Sequence, residues 1–167
     1  MRSSSPLLST HRKIASLTTL TRRIRQAQHR GQRVVFTNGC FDVVHAGHVT
    51  ILEQAKRLGD LLIVAINSDR SVRRLKGPGR PILSQRERAL LLAAFACVDY
   101  VTVFDQDTPW HTIKRLRPNV LVKGADWDSK AIVGRDLVEG YGGRVARLPL
   151  VKGRSTTNII ERIRRWS

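Results

Sequence analysis

Cysteine, aromatic residues and acidic side chains are all scarce in this 167-residue chain. The two cysteines, Cys40 and Cys97, show neither a metal-ligand spacing nor a disulfide framework, which excludes a small cysteine-stapled fold and points to a reducing, cytoplasmic setting. Aromatics make up 5% of the residues and do not interleave with the basic ones, so the stacking platforms of single-strand nucleic-acid binders are missing. No apolar run approaches the roughly 18–20 residues that span a bilayer, and no membrane span is expected. Residues 1–33 also lack the apolar stretch of a secretory signal.

The acids are outnumbered 13 to 30 by Lys and Arg, a net charge of +17. The excess sits at the two ends: residues 1–33 hold eight cations and no acid, and residues 144–167 hold seven cations and one acid. Such ends can meet nucleic acid or an anionic membrane surface, or can simply be solvated; without interleaved aromatics, nucleic acid is not the expected partner. The Ser-, Thr- and Arg-rich start has the composition of an organellar transit peptide. Against that, Ile14, Leu17, Leu20 and Ile24 recur at helical spacing and Gly31 stands where a helix would stop. The expectation is a basic, disordered tail over residues 1–12, then an amphipathic helix packed on one domain spanning 13–167. That helix could also supply a homodimer surface.

From Arg33 onward short apolar runs alternate with helical patterns. Strands are expected at 34–36, 60–66, 100–104, 120–122 and 144–148. Helices are expected at 47–58 with Val49, Leu52 and Ala55 inward, from Ser84 to about Cys97, from Thr108-Pro109, and from Ser155 to Trp166. Ser84 and Glu87 have capping-box spacing, and Pro is tolerated in a first turn. Residues 73–81 read as a basic Gly/Pro loop. The alternation predicts an α/β fold, a Rossmann-like doubly wound parallel sheet of about five strands with helices on both faces. Ligands then bind beyond the carboxyl ends of the strands, at the switch in strand order.

The motifs fall on that side. After the first strand, Asn38-Gly39-Cys40-Phe41 leads into His45-Ala46-Gly47-His48 at a helix start, where free N–H groups and the helix dipole suit a phosphate. His45 and His48, three apart, share one face, and Gly47 permits close backbone approach. Imidazole N–H groups can stabilise charge building at a reacting phosphorus. Zinc is not expected, because no Glu intervenes and no third ligand stands nearby. Cys40 reads as a small buried turn residue rather than a reactive thiol. The loop holding Arg73, Arg74, Lys76 and Arg80 suits a triphosphate or sugar phosphate, Lys76 above all. Lys123-Gly124 ends the fourth strand, where Lys123 can meet a phosphate and Asp126 sugar hydroxyls; Asp126 reads equally well as a turn residue. Arg154, Ser155, Thr156 and Thr157 open the last helix, either as caps or as a second phosphate site.

His-x-Gly-His at 45–48 resembles the mark of the nucleotidylyltransferase superfamily. With VVFTNGCFDVVHAGHV (34–49), INSDRSVRRLKGPGRP (66–81), CVDYVTVFDQDTP (97–109), PNVLVKGADW (118–127) and GRSTTNIIERI (153–163) taken jointly, the chain is similar over about residues 13–166 to one of its families. This family comprises the adenylyltransferases that make ADP-heptose from D-glycero-β-D-manno-heptose 1-phosphate and ATP for the lipopolysaccharide inner core. The resemblance implies in-line attack of the sugar 1-phosphate oxygen on the α-phosphorus, with pyrophosphate leaving. It places His48 on the α-phosphate and His45 on neighbouring phosphates. Lys76, Arg154, Ser155 and Thr156 then hold the triphosphate with Mg²⁺ bridging it, and Phe41 with its backbone neighbours lines the nucleotide pocket. Asn67, Asp69, Lys123 and Asp126 are assigned to the sugar phosphate and ribose, and the chain's length implies the stand-alone form, served by a separate kinase. Ala125, where the family more often has glycine, and the basic N-terminal extension depart from its pattern. Two rivals stay open: cytidylyl transfer to a polyol phosphate such as glycerol 3-phosphate, and a basic nucleic-acid-binding module.

Overall fold

Five apolar runs form five parallel strands: β1 (Val34–Gly39), β2 (Leu61–Asn67), β3 (Tyr100–Phe104), β4 (Val120–Gly124) and β5 (Arg144–Leu148), in the order β3-β2-β1-β4-β5. The computed structural model describes residues 10–125, 128, 131–149 and 156–166. The remaining elements are α1 (Thr10–Lys13), α2 (Leu17–His29), α3 (Ala46–Lys56), α4 (Asp69–Lys76), α5 (Gln85–Ala94), α6 (Trp110–Leu116), α7 (Arg135–Gly140) and α8 (Thr156–Arg164). Among the described residues no helix is long and apolar enough to cross a membrane.

Successive strand residues point to opposite faces, so the near-continuous apolar strands feed two cores. Val35, Leu62, Val64, Ile66, Val101 and Val122 pack with Leu52 and Ala55 of α3 and Leu92 of α5. Val34, Phe36, Ile63, Ala65 and Leu121 pack with Leu20 and Ile24 of α2, Ile113 and Leu116 of α6, and Val138 of α7. Helices therefore cover both faces, as the alternation predicted. At the amino ends of the strands, side chains complete the ladder. Asn119 Oδ1 accepts from Val34 N–H (2.8 Å), Asp60 Oδ2 from Arg33 N–H (2.7 Å) and Asp99 Oδ2 from Leu62 N–H (2.7 Å).

Four expectations need correction. Residues 73–76 are not loop but the last turn of α4; Ser68 Oγ caps that helix by accepting from Ser71 N–H at 3.0 Å. Gly77 ends it at φ +94°, a conformation that favours glycine. Val49 is not inward but 37% exposed, while Leu52 and Ala55 are buried. The N-terminal apolar residues do not share one helix, because Ile14 forms a bridge with Val101 and packs on the α3/α5 side. Ser16 then starts α2, whose Leu20 and Ile24 pack on the opposite face. Helix α7, between β4 and β5, was not anticipated. Of the expected tail, residues 1–9 lie outside the described residues, and Thr10–Lys13 is helical.

Arg88 of α5 is fully buried. Its Nε donates to the Leu83 carbonyl (3.0 Å), Nη1 to the Cys40 carbonyl (2.5 Å) and Nη2 to Asp69 Oδ1 (2.8 Å). Truncating one member of a buried charged network strands the others without partners. Arg88→Ala should lower the unfolding free energy by about 3–5 kcal/mol in urea denaturation, and a loss below about 1 kcal/mol would refute the clamp.

Candidate active site

Strands β1 and β4 are neighbours, yet β1 leads outward to β2 and β3 while β4 leads to β5 on the other side. Their carboxyl ends flank the switch in strand order, where open parallel sheets bind ligands. A cleft of about 650 Å³ opens there. Just beyond the paired Thr37 and Val122, Lys123 Nζ donates to Asn38 Oδ1 at 2.6 Å, linking the two strand ends. Lys123 is only 9% exposed, and a buried ammonium needs such a partner.

The chain leaves β1 through Phe41, whose φ of +48° is unusual for a residue with a side chain. Its ring lies against Gly39, where an added Cβ would stand 3.1 Å from the ring edge and would push the ring outward by a few tenths of an ångström. His45 then adopts extended backbone as the N-cap of α3. Gly47 N–H donates to His45 Nδ1 (3.1 Å), and His45 N–H donates to His48 Nδ1 (3.3 Å). The two imidazoles stack with centroids 4.0 Å apart, and Phe41 lies 5.1 Å from His48. Since Nδ1 accepts in the His48 ring, its neutral form carries the proton on Nε2. Burial first, and the neighbouring His45 second, push the His48 pKa down to about 4. His48 is thus a neutral N–H donor at neutral pH, and the helix-start N–H of Gly47 is engaged by an imidazole.

The opposite wall is held by buried ionic contacts. Asp42, with its side chain fully buried, accepts from Ile82 N–H (2.7 Å), Leu83 N–H (2.9 Å) and the Arg80 guanidinium. Burial alone would raise the Asp42 pKa, but the Leu83 and Ile82 amides and Arg80 outweigh it and hold the carboxyl below its usual range. Arg80 is thereby fixed beside the cleft. Lys76 reaches the cleft from the end of α4, where the helix dipole favours a cation. Burial raises the pKa of Cys40 against the opposing influence of Lys76, Arg88 and Arg80; the thiol is a packing group, not a nucleophile.

The cleft gathers Asn38, Gly39, Cys40, Phe41, His45, Gly47, His48, Asn67, Lys76, Arg80, Lys123, Gly124, Thr156 and Thr157 from the expected site residues. Thr156 Oγ1 donates to the Val43 carbonyl (3.2 Å), tying the start of α8 to the His-x-Gly-His loop. Asp69 is a correction. It does not line the cleft; it pairs with the buried Arg88 and its N–H donates to Gln85 Oε1 (3.0 Å). Asp126, Arg154 and Ser155 lie outside the described residues. Sequence reasoning missed Asp107, Thr108 and Pro109, which enter from the β3–α6 connection, and Val133 from the β4–α7 connection. The rule that ligands sit beyond strand carboxyl ends could have flagged the first three. Among the described residues no three His, Cys, Asp or Glu side chains converge as metal ligands.

A sheet with this strand order, carrying paired imidazoles and cations at its switch point, defines a nucleotide-handling α/β enzyme. The Cytidylyltransferase-like family model matches residues 36–162; the chain belongs to that family and is a nucleotidyltransferase. Among similar curated proteins, the bifunctional protein HldE of Syntrophotalea carbinolica is 62% identical over 136 residues, covering 81% of this chain and 28% of that protein. The bifunctional protein HldE of Geobacter sulfurreducens is 56% identical over 151 residues, 90% of this chain and 31% of that one. The chain therefore spans under a third of the length of these relatives. Among solved structures, the lipopolysaccharide core biosynthesis protein from Thermoplasma volcanium superposes with a TM-score of 0.61 at 26% identity, covering 74% of this chain and 100% of that one. Pantothenate synthetase from Thermus thermophilus, at 18% identity and a TM-score of 0.58 over 88% of this chain and 67% of that one, shares the fold.

The depressed His48 pKa has a consequence for stability. In the unfolded chain the imidazole titrates near 6.5, and in the folded chain near 4. Its contribution is fully present above pH 6.5 and is lost as pH falls toward 4. The drop in unfolding free energy from about pH 7 to about pH 4.5 should therefore be smaller in His48→Gln than in the wild type. Equal drops in urea titrations would contradict the neutral, buried state of His48.

Proposed function

We propose that this chain is an adenylyltransferase that transfers AMP from ATP to D-glycero-β-D-manno-heptose 1-phosphate, giving ADP-heptose and pyrophosphate for the lipopolysaccharide core. The observation that carries the chemistry is the stacked His45–His48 pair at the start of α3, in which each Nδ1 accepts from a helix-start backbone N–H. The choice of substrate rests on the resemblance of the joint motifs at 34–49, 66–81, 97–109, 118–127 and 153–163, and it is supported by the HldE relatives and by the structural neighbour named for lipopolysaccharide core biosynthesis. The enzyme then works in the cytoplasm on soluble substrates.

In this reading the acceptor phosphate oxygen attacks the α-phosphorus in line while pyrophosphate departs. The nucleophile is already an anion, so no general base is needed and catalysis is positioning plus charge stabilisation. His48 donates from Nε2 to an α-phosphate oxygen, and because the ring is neutral this donor persists across the physiological range. His45 serves the adjoining phosphates. Lys76 and Thr156, with Arg154 and Ser155, hold the triphosphate; Phe41, Gly39 and Gly124 shape the nucleotide pocket, with Thr157 beside it. Lys123 and Asn38 orient the phosphate of one substrate, while Asn67 and Arg80 face the acceptor.

Magnesium fits as a passenger on the triphosphate rather than as a resident ion. Of the carboxylates on the cleft, Asp42 is fully engaged, and no three-ligand cluster exists among the described residues. The ion would neutralise phosphate charge as the leaving group forms.

Pyrophosphate release, measured with ATP or CTP and with heptose 1-phosphate or glycerol 3-phosphate as acceptor, tests the proposal. Turnover is expected with ATP and heptose 1-phosphate. Turnover with CTP alone would transfer the chain to the cytidylyltransferases, and none with either nucleotide would overturn the enzymatic reading. His48→Ala should cut kcat by at least about a hundredfold with the circular dichroism spectrum unchanged, and near-normal kcat would remove His48 from the mechanism.

A further inference from the structure

The described cleft carries five side chains able to donate to phosphates, His45, His48, Lys76, Arg80 and Lys123. It also holds two carboxylates, Asp42 and Asp107, and an anion beside a phosphate site is unfavourable unless it has other work. Asp42 is accounted for, since both its oxygens accept from Arg80, Ile82 and Leu83. Asp107 is not. Its side chain is 58% exposed, Oδ1 accepts from Arg74 Nε at 2.8 Å, and Oδ2 has no hydrogen bond among the described residues.

The fold holds Asp107 at this edge with unusual care. One face of α4 and its cap grips the connection after β3 at several points. Ser68 Oγ and the Arg70 guanidinium both donate to the Asp105 carboxylate. Ser71 Oγ donates to the Gln106 carbonyl at 3.0 Å, and Arg74 donates to the Asp105 carbonyl as well as to Asp107. A loop fixed this way has a defined backbone, and the Arg74 contact orients the carboxylate at its end. The connection leaves from β3, on the side of β1 away from β4, whereas Gly124, Val133 and Thr156 belong to the β4 and α8 side.

We propose that Asp107 is the acceptor-recognition residue, a carboxylate that accepts hydrogen bonds from vicinal hydroxyls on the sugar of the incoming sugar phosphate. This rests on the sugar-phosphate reading above and adds a specificity element to it. A carboxylate offers two acceptor oxygens to paired hydroxyl donors, and it repels any anionic group brought to the same place. Asp107 therefore selects the polyol end of the acceptor. Arg74 is a positioning residue, holding Oδ1 so that the other oxygen faces the ligand.

Steady-state kinetics with ATP and heptose 1-phosphate, each varied in turn, test the assignment. Asp107→Ala should raise KM for heptose 1-phosphate by about tenfold or more while KM for ATP moves by less than about threefold, because removing a charged acceptor from hydroxyl donors costs about that much binding. Asp107→Asn should fall between, and Arg74→Ala should shift the same KM in the same direction by less. A KM for the acceptor within about threefold of wild type, or equal rises for both substrates, would overturn the proposal. If Asp107→Ala loses its cooperative melting transition, the split must appear in Arg74→Ala, and its absence there is equally fatal. If the wild type shows no turnover, the adenylyltransferase reading fails separately; calorimetric binding of heptose 1-phosphate to wild type and Asp107→Ala then decides, and equal affinities overturn the role of Asp107.

Discussion

The site depends on one buried cation. Arg88 sits on α5 among Ala89, Leu92 and Ala93, a position where an apolar residue would be routine. Its guanidinium instead joins three segments far apart in the chain: the Cys40 carbonyl after β1, the Leu83 carbonyl before α5, and the Asp69 carboxylate at the start of α4. A buried guanidinium is tolerated only when its donors are met, so the three loops must come to it. Asp42 works in the opposite sense. It gathers the Ile82 and Leu83 amides and Arg80 around a buried carboxylate two residues beyond Cys40. Between them the two charges fasten the turn after β1 to residues 80–83, and the histidine pair inherits that rigidity.

The strands and the cleft were legible because their physics is local. A continuous apolar run can only be a strand covered on both faces or a buried helix, and lengths near five residues flanked by turn residues decide between them. His45, Gly47, His48 and Lys123 could be placed because each lies at or beyond the carboxyl end of a strand, and an open parallel sheet puts such residues on one side. The capping box at Ser84 and Glu87 was equally readable, and Ser84 N–H does donate to Glu87 Oε2 at 2.9 Å.

What escaped was long-range. Ser68 and Gly77 bracket α4 with an ordinary cap and stop, but four cations with two glycines and two prolines nearby dominate the stretch and read as loop. The resemblance assigned Asp69 to the sugar phosphate and ribose; only the fold reveals a buried Arg88, nineteen positions later, as its partner. Asp107 drew no reading of its own, since nothing in a string of residues shows that Arg74 of α4 will hold it at the cleft. Ile14 matched the helical spacing of Leu17, Leu20 and Ile24 by coincidence, and its bridge with Val101 sends the chain across the sheet edge before α2 begins.

The mutual capping of His45 and His48 has a further consequence. Active-site groups usually strain or weaken the fold that carries them, and drift removes them once their chemistry is no longer selected. Here the two imidazoles occupy the backbone polar groups at the start of α3, so each contributes to folding whether or not a nucleotide ever arrives. Descendants that abandoned catalysis would still lose stability by replacing either one. In such a lineage the His-x-Gly-His pattern would outlive the activity, and the first traces of lost function would appear at cleft residues that stabilise nothing.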